Sequence, residues 1–307
     1  MGTLQEERTI PTWPKPEGYV RAMGVQSNGL PAFGNMVKSR NTFKAAKKYG
    51  ADVVMMGETG LNVLNLNEED SMHARVQHVL HAPKAIFASN KHHKSTSPYL
   101  HGGVGIVTTF KATTRFKGVG HDPTGLARWV SVLCEGRSNH TLRFVYAYNP
   151  CFSTGLNTVY QQHVRYLDSE NRDETPHVAF EKDFKAALAE WIDNGDELVV
   201  SIDANQDVTN GRLQRMFKSL GMHNAITTRH PHLPMPATHT RNNCSKPIDA
   251  IFTNINDPDM RCGYLPFQEA YPGDHRPMWI DIPKRTAWGH NPPHLFKPTA
   301  IEMSTND

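Results

Sequence analysis

Polar residues recur at the ends of strand-like apolar runs in this chain, and their types are those that handle phosphate or a metal ion. Gln26 and Asn28 close the first run, Glu58 follows Val53 to Gly57, and Tyr148 follows Leu142 to Ala147. Asp203 and Asn205 follow Leu198 to Ile202, Asp249 lies within Pro247 to Phe252, and Asp274 and His275 precede Met278 to Ile282. Taken singly, each reads as a solvated turn or loop residue, or for Tyr148 as a core ring with a wet hydroxyl. Asp249 is the exception, because a carboxylate inside an apolar strand needs a partner to be tolerated. Taken together they supply carboxylates, amides, a phenol and an imidazole that titrates near neutrality and can act as acid or base. Carboxylates and amides without a thiolate suit a hard, oxygen-loving ion, so the set points to Mg²⁺ or Mn²⁺ rather than zinc.

The elements that must position these residues alternate along the chain. Tyr19 to Gln26 reads as a strand, Val37 to Tyr49 as a lysine-studded amphipathic helix and Asp52 to Gly57 as a short buried strand, a β-α-β opening. Asn67 is placed to cap a helix that begins with Glu68, Glu69 and Asp70. Lys84 to Ala88, Gly103 to Phe110, Trp129 to Glu135 and Leu142 to Tyr148 read as successive strands. Leu156, Val159, Tyr160, His163, Val164 and Leu167 share one helical face, as do Phe184, Ala187, Leu188, Trp191 and Ile192. Such stripes face a core. Strands outnumber helices and include antiparallel neighbours, so the expected class is α/β, with two sheets packed face to face and helices outside. No internal repeat is visible.

The 307 residues suffice for one large domain, expected over 18–283 between an irregular N-terminal segment (1–17) and an irregular C-terminal tail or linker (284–307). With 33 basic and 30 acidic side chains, there is no polybasic tail or membrane-surface helix. The four cysteines, Cys134, Cys151, Cys244 and Cys262, lack metal-motif spacing. Reduced thiols and an intracellular setting, nucleus or cytoplasm, are expected.

In order along the chain, these residues resemble the endonuclease/exonuclease/phosphatase superfamily. Gln26-Ser-Asn-Gly-Leu30 is similar to its Asn-x-Asn/Asp-Gly-Leu, Gly57-Glu-Thr59 to Gln-Glu-Thr, and Ala147-Tyr-Asn-Pro150 to Ala-Tyr-x-Pro. Asp203-Ala-Asn205 is similar to the core of Gly-Asp-Phe-Asn, Lys246-Pro-Ile-Asp-Ala-Ile-Phe252 to Arg-Ile-Asp-Tyr-Ile-Phe, and Gly273-Asp-His275 to Ser-Asp-His. The departures are Gln26 for a metal-site Asn, Ile202 and Ala204 around Asp203, and Gly273 for Ser. The resemblance implies a four-layer α/β sandwich whose two mostly antiparallel sheets carry a metal-dependent phosphoric ester hydrolase. It implies Glu58, Asp274, Gln26 and Asn28 at the metal, Asp203 and Asn205 at the attacking water, and His275, oriented by Asp249, as a donor to phosphate with Tyr148. Gln26→Asn is expected to keep activity.

Asp122-Pro-Thr-Gly-Leu-Ala-Arg-Trp129, Tyr160-Gln-Gln162 and Ala237-Thr-His-Thr240 look most like mobile-element endonuclease domains that precede a reverse transcriptase. Basic groups around Lys91, Lys111 to Lys117 and Arg229 to Arg241 are candidates for nucleic-acid phosphates, with Trp129, Tyr99 or Phe152 for sugars and bases. The expectation is therefore a DNA endonuclease. A phosphomonoesterase on inositol phosphates or another small ester, and a catalytically silent binding or scaffold domain, are the alternatives.

Overall fold

The computed structural model describes residues 15–30, 37–64, 68–240, 246–267, 271 and 273–289. The first half of the chain runs β1 (Tyr19–Gln26), α1 (Val37–Lys48), β2 (Val53–Gly57), α2 (Glu68–Val79), β3 (Lys84–Ala88) and β4 (Val104–Thr108). It continues through α3 (Phe110–Thr113), β5 (Phe116–His121), β6 (Trp129–Glu135) and β7 (Thr141–Tyr148). The second half runs α4 (Val159–Ser169), α5 (Pro176–Asp193), β8 (Glu197–Asp203), α6 (Arg212–Ser219), β9 (His223–Asn224) and α7 (Ala225–Arg229). It closes with β10 (Asp249–Thr253), β11 (Arg261–Tyr264), β12 (Met278–Pro283) and α8 (Lys284–Trp288).

These strands form two six-stranded sheets, ordered β11-β12-β1-β2-β4-β3 and β5-β6-β7-β8-β10-β9. In each sheet the central pair is parallel, β1 with β2 and β7 with β8, and every other pairing is antiparallel. A parallel pair needs a crossover, which α1 supplies for the first sheet and α4 with α5 for the second. Between the sheets lie Ala22, Val53, Met55 and Ile106 from one and Val130, Phe144, Tyr146, Val199 and Ile251 from the other. The outer face of the first sheet is covered by Phe43, Ala46, Met72 and Val76 of α1 and α2, and that of the second by Phe180, Phe184, Leu188 and Phe217 of α5 and α6. The result is the expected four layers, and it explains why β2 and β8 read as continuous apolar runs: both faces are covered. Gly24 lets the sheets approach, since a Cβ there would lie 2.0 Å from Ser201 Oγ.

Three sequence expectations need correction. Leu156 is not on the α4 stripe; it precedes the helix, which Thr158 caps, and is 77% exposed. The strand expected to reach Phe110 ends at Thr108, because Phe110 already starts α3. The irregular tail does not begin at 284, since α8 follows β12 directly and buries Ala287 and Trp288. The expected cap Asn67, residues 1–14 and 290–307 lie outside the described residues.

Candidate active site

The candidate residues meet at one edge of the sandwich because of strand direction. Gln26, Tyr148 and Asp203 end β1, β7 and β8 and Glu58 follows β2; each central pair is parallel, and the Gln26–Asp203 and Tyr148–Glu58 hydrogen bonds bring the carboxyl ends of both pairs to one edge. Asp249 opens β10 and Asp274 and His275 precede β12; these strands run antiparallel to β8 and β1, so their starts reach that edge too. Ligands of open α/β sheets gather outside the carboxyl ends of strands for the same geometric reason. The backbone then turns sharply, with Asn28, Glu58 and Asn205 at φ of 45°, 44° and 48°.

One half of the site is an acid–imidazole cluster. Asp203 and Asp249 are direct partners in the β8–β10 register, both 1% exposed, and His275 Nδ1 meets Asp249 Oδ2 at 2.9 Å. Burial, and then the Asp249 charge, raise the Asp203 carboxyl well above the usual carboxylate range. Burial alone would lower the His275 pKa, but Asp249 and Asp203 outweigh it and carry it up to about 10, so the ring is an imidazolium at neutral pH. Gln26, 5% exposed, donates its amide to Asp203 Oδ2 and accepts from the Tyr146 hydroxyl at 3.3 Å. Expected at the metal, its amide engages the Asp203 half of the site. Gly57, opposite Gln26, must be glycine, as a Cβ would lie 2.4 Å from the Tyr146 ring.

The other half is built of oxygen donors. Tyr148, the hydroxyl expected to serve phosphate, donates to Glu58 Oε1 at 2.5 Å. Burial and then Glu58 hold that phenol protonated, well above its ordinary pKa. Asn28 Nδ2 donates to Asp274 Oδ1 at 3.3 Å, and Asn28 lines one cavity with Glu58. Asn205 turns its side chain to Asn149 O at 2.8 Å and its backbone N–H to Asp203 Oδ1 at 3.1 Å. Two carboxylates and an amide oxygen suit a hard divalent cation. Another observation agrees: the Lys38 ammonium, bonded to Asn28 O at 2.6 Å, is attracted by both Asp274 and Glu58, although burial lowers its pKa.

Lys38 is a site residue that sequence reading missed; it looked like one more lysine on α1. Thr238 is another: fully buried, its Oγ1 accepts from Ile248 N at 2.9 Å and Asp249 N at 3.1 Å, fixing the backbone that carries Asp249. Several expected nucleic-acid contacts have structural roles. Trp129 is buried against Phe180 and Phe184, and His230 bonds Cys262 O. Arg229 binds the Asp257 and Pro258 carbonyls, Arg115 lies over Trp288, and Lys117 pairs with Glu135. Arg241 lies outside the described residues. Tyr99 and Phe152, 48% and 66% exposed, line a cavity of about 450 Å³ with Glu58, Asn28 and Tyr148.

No protein-family model and no curated protein matches this sequence. Solved structures do match. The AP endonuclease LMAP of Leishmania major superposes with a TM-score of 0.63 at 11% identity, over 91% of this chain and 94% of that one. The human Nocturnin catalytic domain with a bound sulfate anion gives 0.57 at 15% identity, covering 86% and 93%. An AP endonuclease from Archaeoglobus fulgidus gives 0.53 at 14% identity, covering 85% and 98%. An endonuclease/exonuclease/phosphatase family protein from Leptotrichia buccalis C-1013-b gives 0.55 at 12%, over 85% and 98%. Two six-stranded mixed sheets, helices on both outer faces and one polar edge thus give this chain the fold of the endonuclease/exonuclease/phosphatase superfamily.

Proposed function

We propose that this protein is a Mg²⁺- or Mn²⁺-dependent phosphodiesterase that cuts DNA endonucleolytically. The observation that carries this reading is the convergence, on one edge, of an Asp203–Asp249–His275 cluster with the oxygen donors Glu58, Asp274 and Asn28. Glu58, Asp274 and Asn28 would hold the cation, which when bound supplies Lewis-acid stabilisation of charge on the phosphoryl group. His275, held by Asp249, donates from Nε2 to a non-bridging phosphate oxygen. Asp203 takes a proton from water as the water oxygen bonds to phosphorus. The bond from phosphorus to the leaving sugar oxygen breaks, and that oxygen takes a proton from solvent. Gln26 and the Asn205 N–H hold the Asp203 carboxylate in place. The resemblance of 122–129, 160–162 and 237–240 to mobile-element endonucleases supports DNA as the polymer.

The test is nicking of supercoiled plasmid in Mg²⁺. Asp203→Asn and His275→Gln are each expected to lower kcat by about 10²–10⁴-fold, the usual contribution of a positioned acid or base. Full activity in EDTA, or in either variant, overturns the reading. Phosphate release from a small ester without nicking reassigns the site to a phosphomonoesterase, and DNA binding without turnover makes it a scaffold.

A further inference from the structure

Directly across from His275 stands a second histidine that this chemistry does not use. His239 and His275 are partners in an isolated antiparallel bridge. The backbone bonds, Thr240 N to Asp274 O at 3.0 Å and Arg276 N to Thr238 O at 2.7 Å, flank the pair instead of joining it. That makes it the narrow kind of antiparallel pair, whose side chains stand closest together on one face. The two imidazoles are accordingly 4.5 Å apart between centroids, at 51°. His239 Nε2 lies 3.4 Å from Asp274 Oδ2, longer than an ordinary N–H···O bond, and the ligand atoms of His239, Asp274 and His275 all fall within 4.8 Å of one another.

Two further features mark the trio as a built site. Asp249 engages His275 through Nδ1, which leaves Nε2 as the ligating nitrogen; metal-binding histidines are commonly held in this way by a carboxylate on the other ring nitrogen. Side-chain exposures of 18% for His239, 15% for Asp274 and 8% for His275 leave the trio sheltered yet reachable from solvent. The donor set also differs from that of Glu58, Asn28 and Asp274. Two imidazoles and one carboxylate suit Zn²⁺ or Co²⁺ with an open fourth position, whereas Mg²⁺ prefers oxygen.

We propose that His239, Asp274 and His275 form a distinct transition-metal site whose occupation by Zn²⁺ stops hydrolysis. The block follows from chemistry: a zinc-bound Nε2 carries no proton to donate to phosphate, and Asp274 is drawn from the oxygen-donor half. Zinc binding stands on the geometry alone; its inhibitory effect rests on the phosphodiesterase reading.

The experiment titrates the whole protein with Zn²⁺ by calorimetry and with Co²⁺ by visible absorption, for wild type, His239→Phe and His239→Gln. Wild type is expected to bind a Zn²⁺ ion that both variants bind at least about tenfold more weakly, in the range lost when a metal site is damaged. Both variants should keep Mg²⁺-dependent nicking, and Zn²⁺ should inhibit wild type but not them. Equal Zn²⁺ affinity in all three, or no binding by wild type, overturns the proposal. If wild type fails to nick in Mg²⁺ while its Zn²⁺ binding still needs His239, the site stands and the phosphodiesterase reading falls. Should both variants unfold, imidazole ¹H–¹⁵N spectra of wild type decide. Zn²⁺ must shift the ring whose Nδ1 proton is held by Asp249; shifts confined to other histidines count against the site.

Discussion

At the scale of single residues, the site has two titrations that bound its working range. Under the proposed mechanism Asp203 must be ionised to accept a proton, and its raised pKa places the acid limb of the rate profile well above the ordinary carboxylate range. His275 must keep its proton, so activity should fall again as pH rises through about 10. A pH–rate profile of plasmid nicking checks both limbs, and a rate still rising past the second would remove His275 as the donor. Gln26→Asn, expected from sequence to be benign, loses the reach to Asp203. Without that donor the carboxylate ionises less readily, so the acid limb should move upward and the rate at neutral pH should drop. Most of these residues were legible in the sequence because motif spacing preserves identity and order. Their pairings were not, because a side chain's partner is set by neighbours remote in sequence: Gln26 meets Asp203 and Tyr148 meets Glu58 only once the sheets face each other.

At the scale of elements, the central strand β1 carries an arginine into the core. Arg21 and Asp281 are partners in the β1–β12 register, joined at 2.7 and 2.6 Å with both side chains fully buried. Removing one partner strands the other charge, so Arg21→Leu should cost about 3–5 kcal/mol in urea unfolding. The double change with Asp281→Leu should recover much of that; no recovery would mean the pair does more than neutralise itself. Periodicity located the long elements within a few residues, since core strands and amphipathic helices carry continuous or regular apolar patterns. It passed over β5, whose Phe-Lys-Gly-Val-Gly-His alternates half-buried with exposed positions at a sheet edge, and the short β9, β11 and α8. Such elements owe their form to a neighbouring strand or a buried Trp288, which local sequence does not announce.

At the scale of the whole molecule, the two sheets share one pairing pattern around a parallel centre, although the sequence shows no repeat. No helix among the described residues is long and apolar enough to cross a membrane. Acid sensitivity should come in part from His163, buried on α4, whose pKa burial and then Arg128 push down to about 3. Between that value and about 6.5 the unfolded chain holds a proton the folded one lacks, so stability, full above this window, falls with pH by about 1.4 kcal/mol per unit. In denaturant titrations from pH 7 to 4, His163→Leu should show a shallower loss; an unchanged slope would assign acid sensitivity elsewhere. The left-handed turns at Asn28, Glu58 and Asn205 bear on how this protein can be improved. Each holds a side chain in a conformation that glycine adopts with less strain. A library screened only for heat resistance rewards glycine at those positions for the relieved backbone and is blind to loss of the side chains that the proposed chemistry uses, so thermal selection here must be coupled to turnover from the first round.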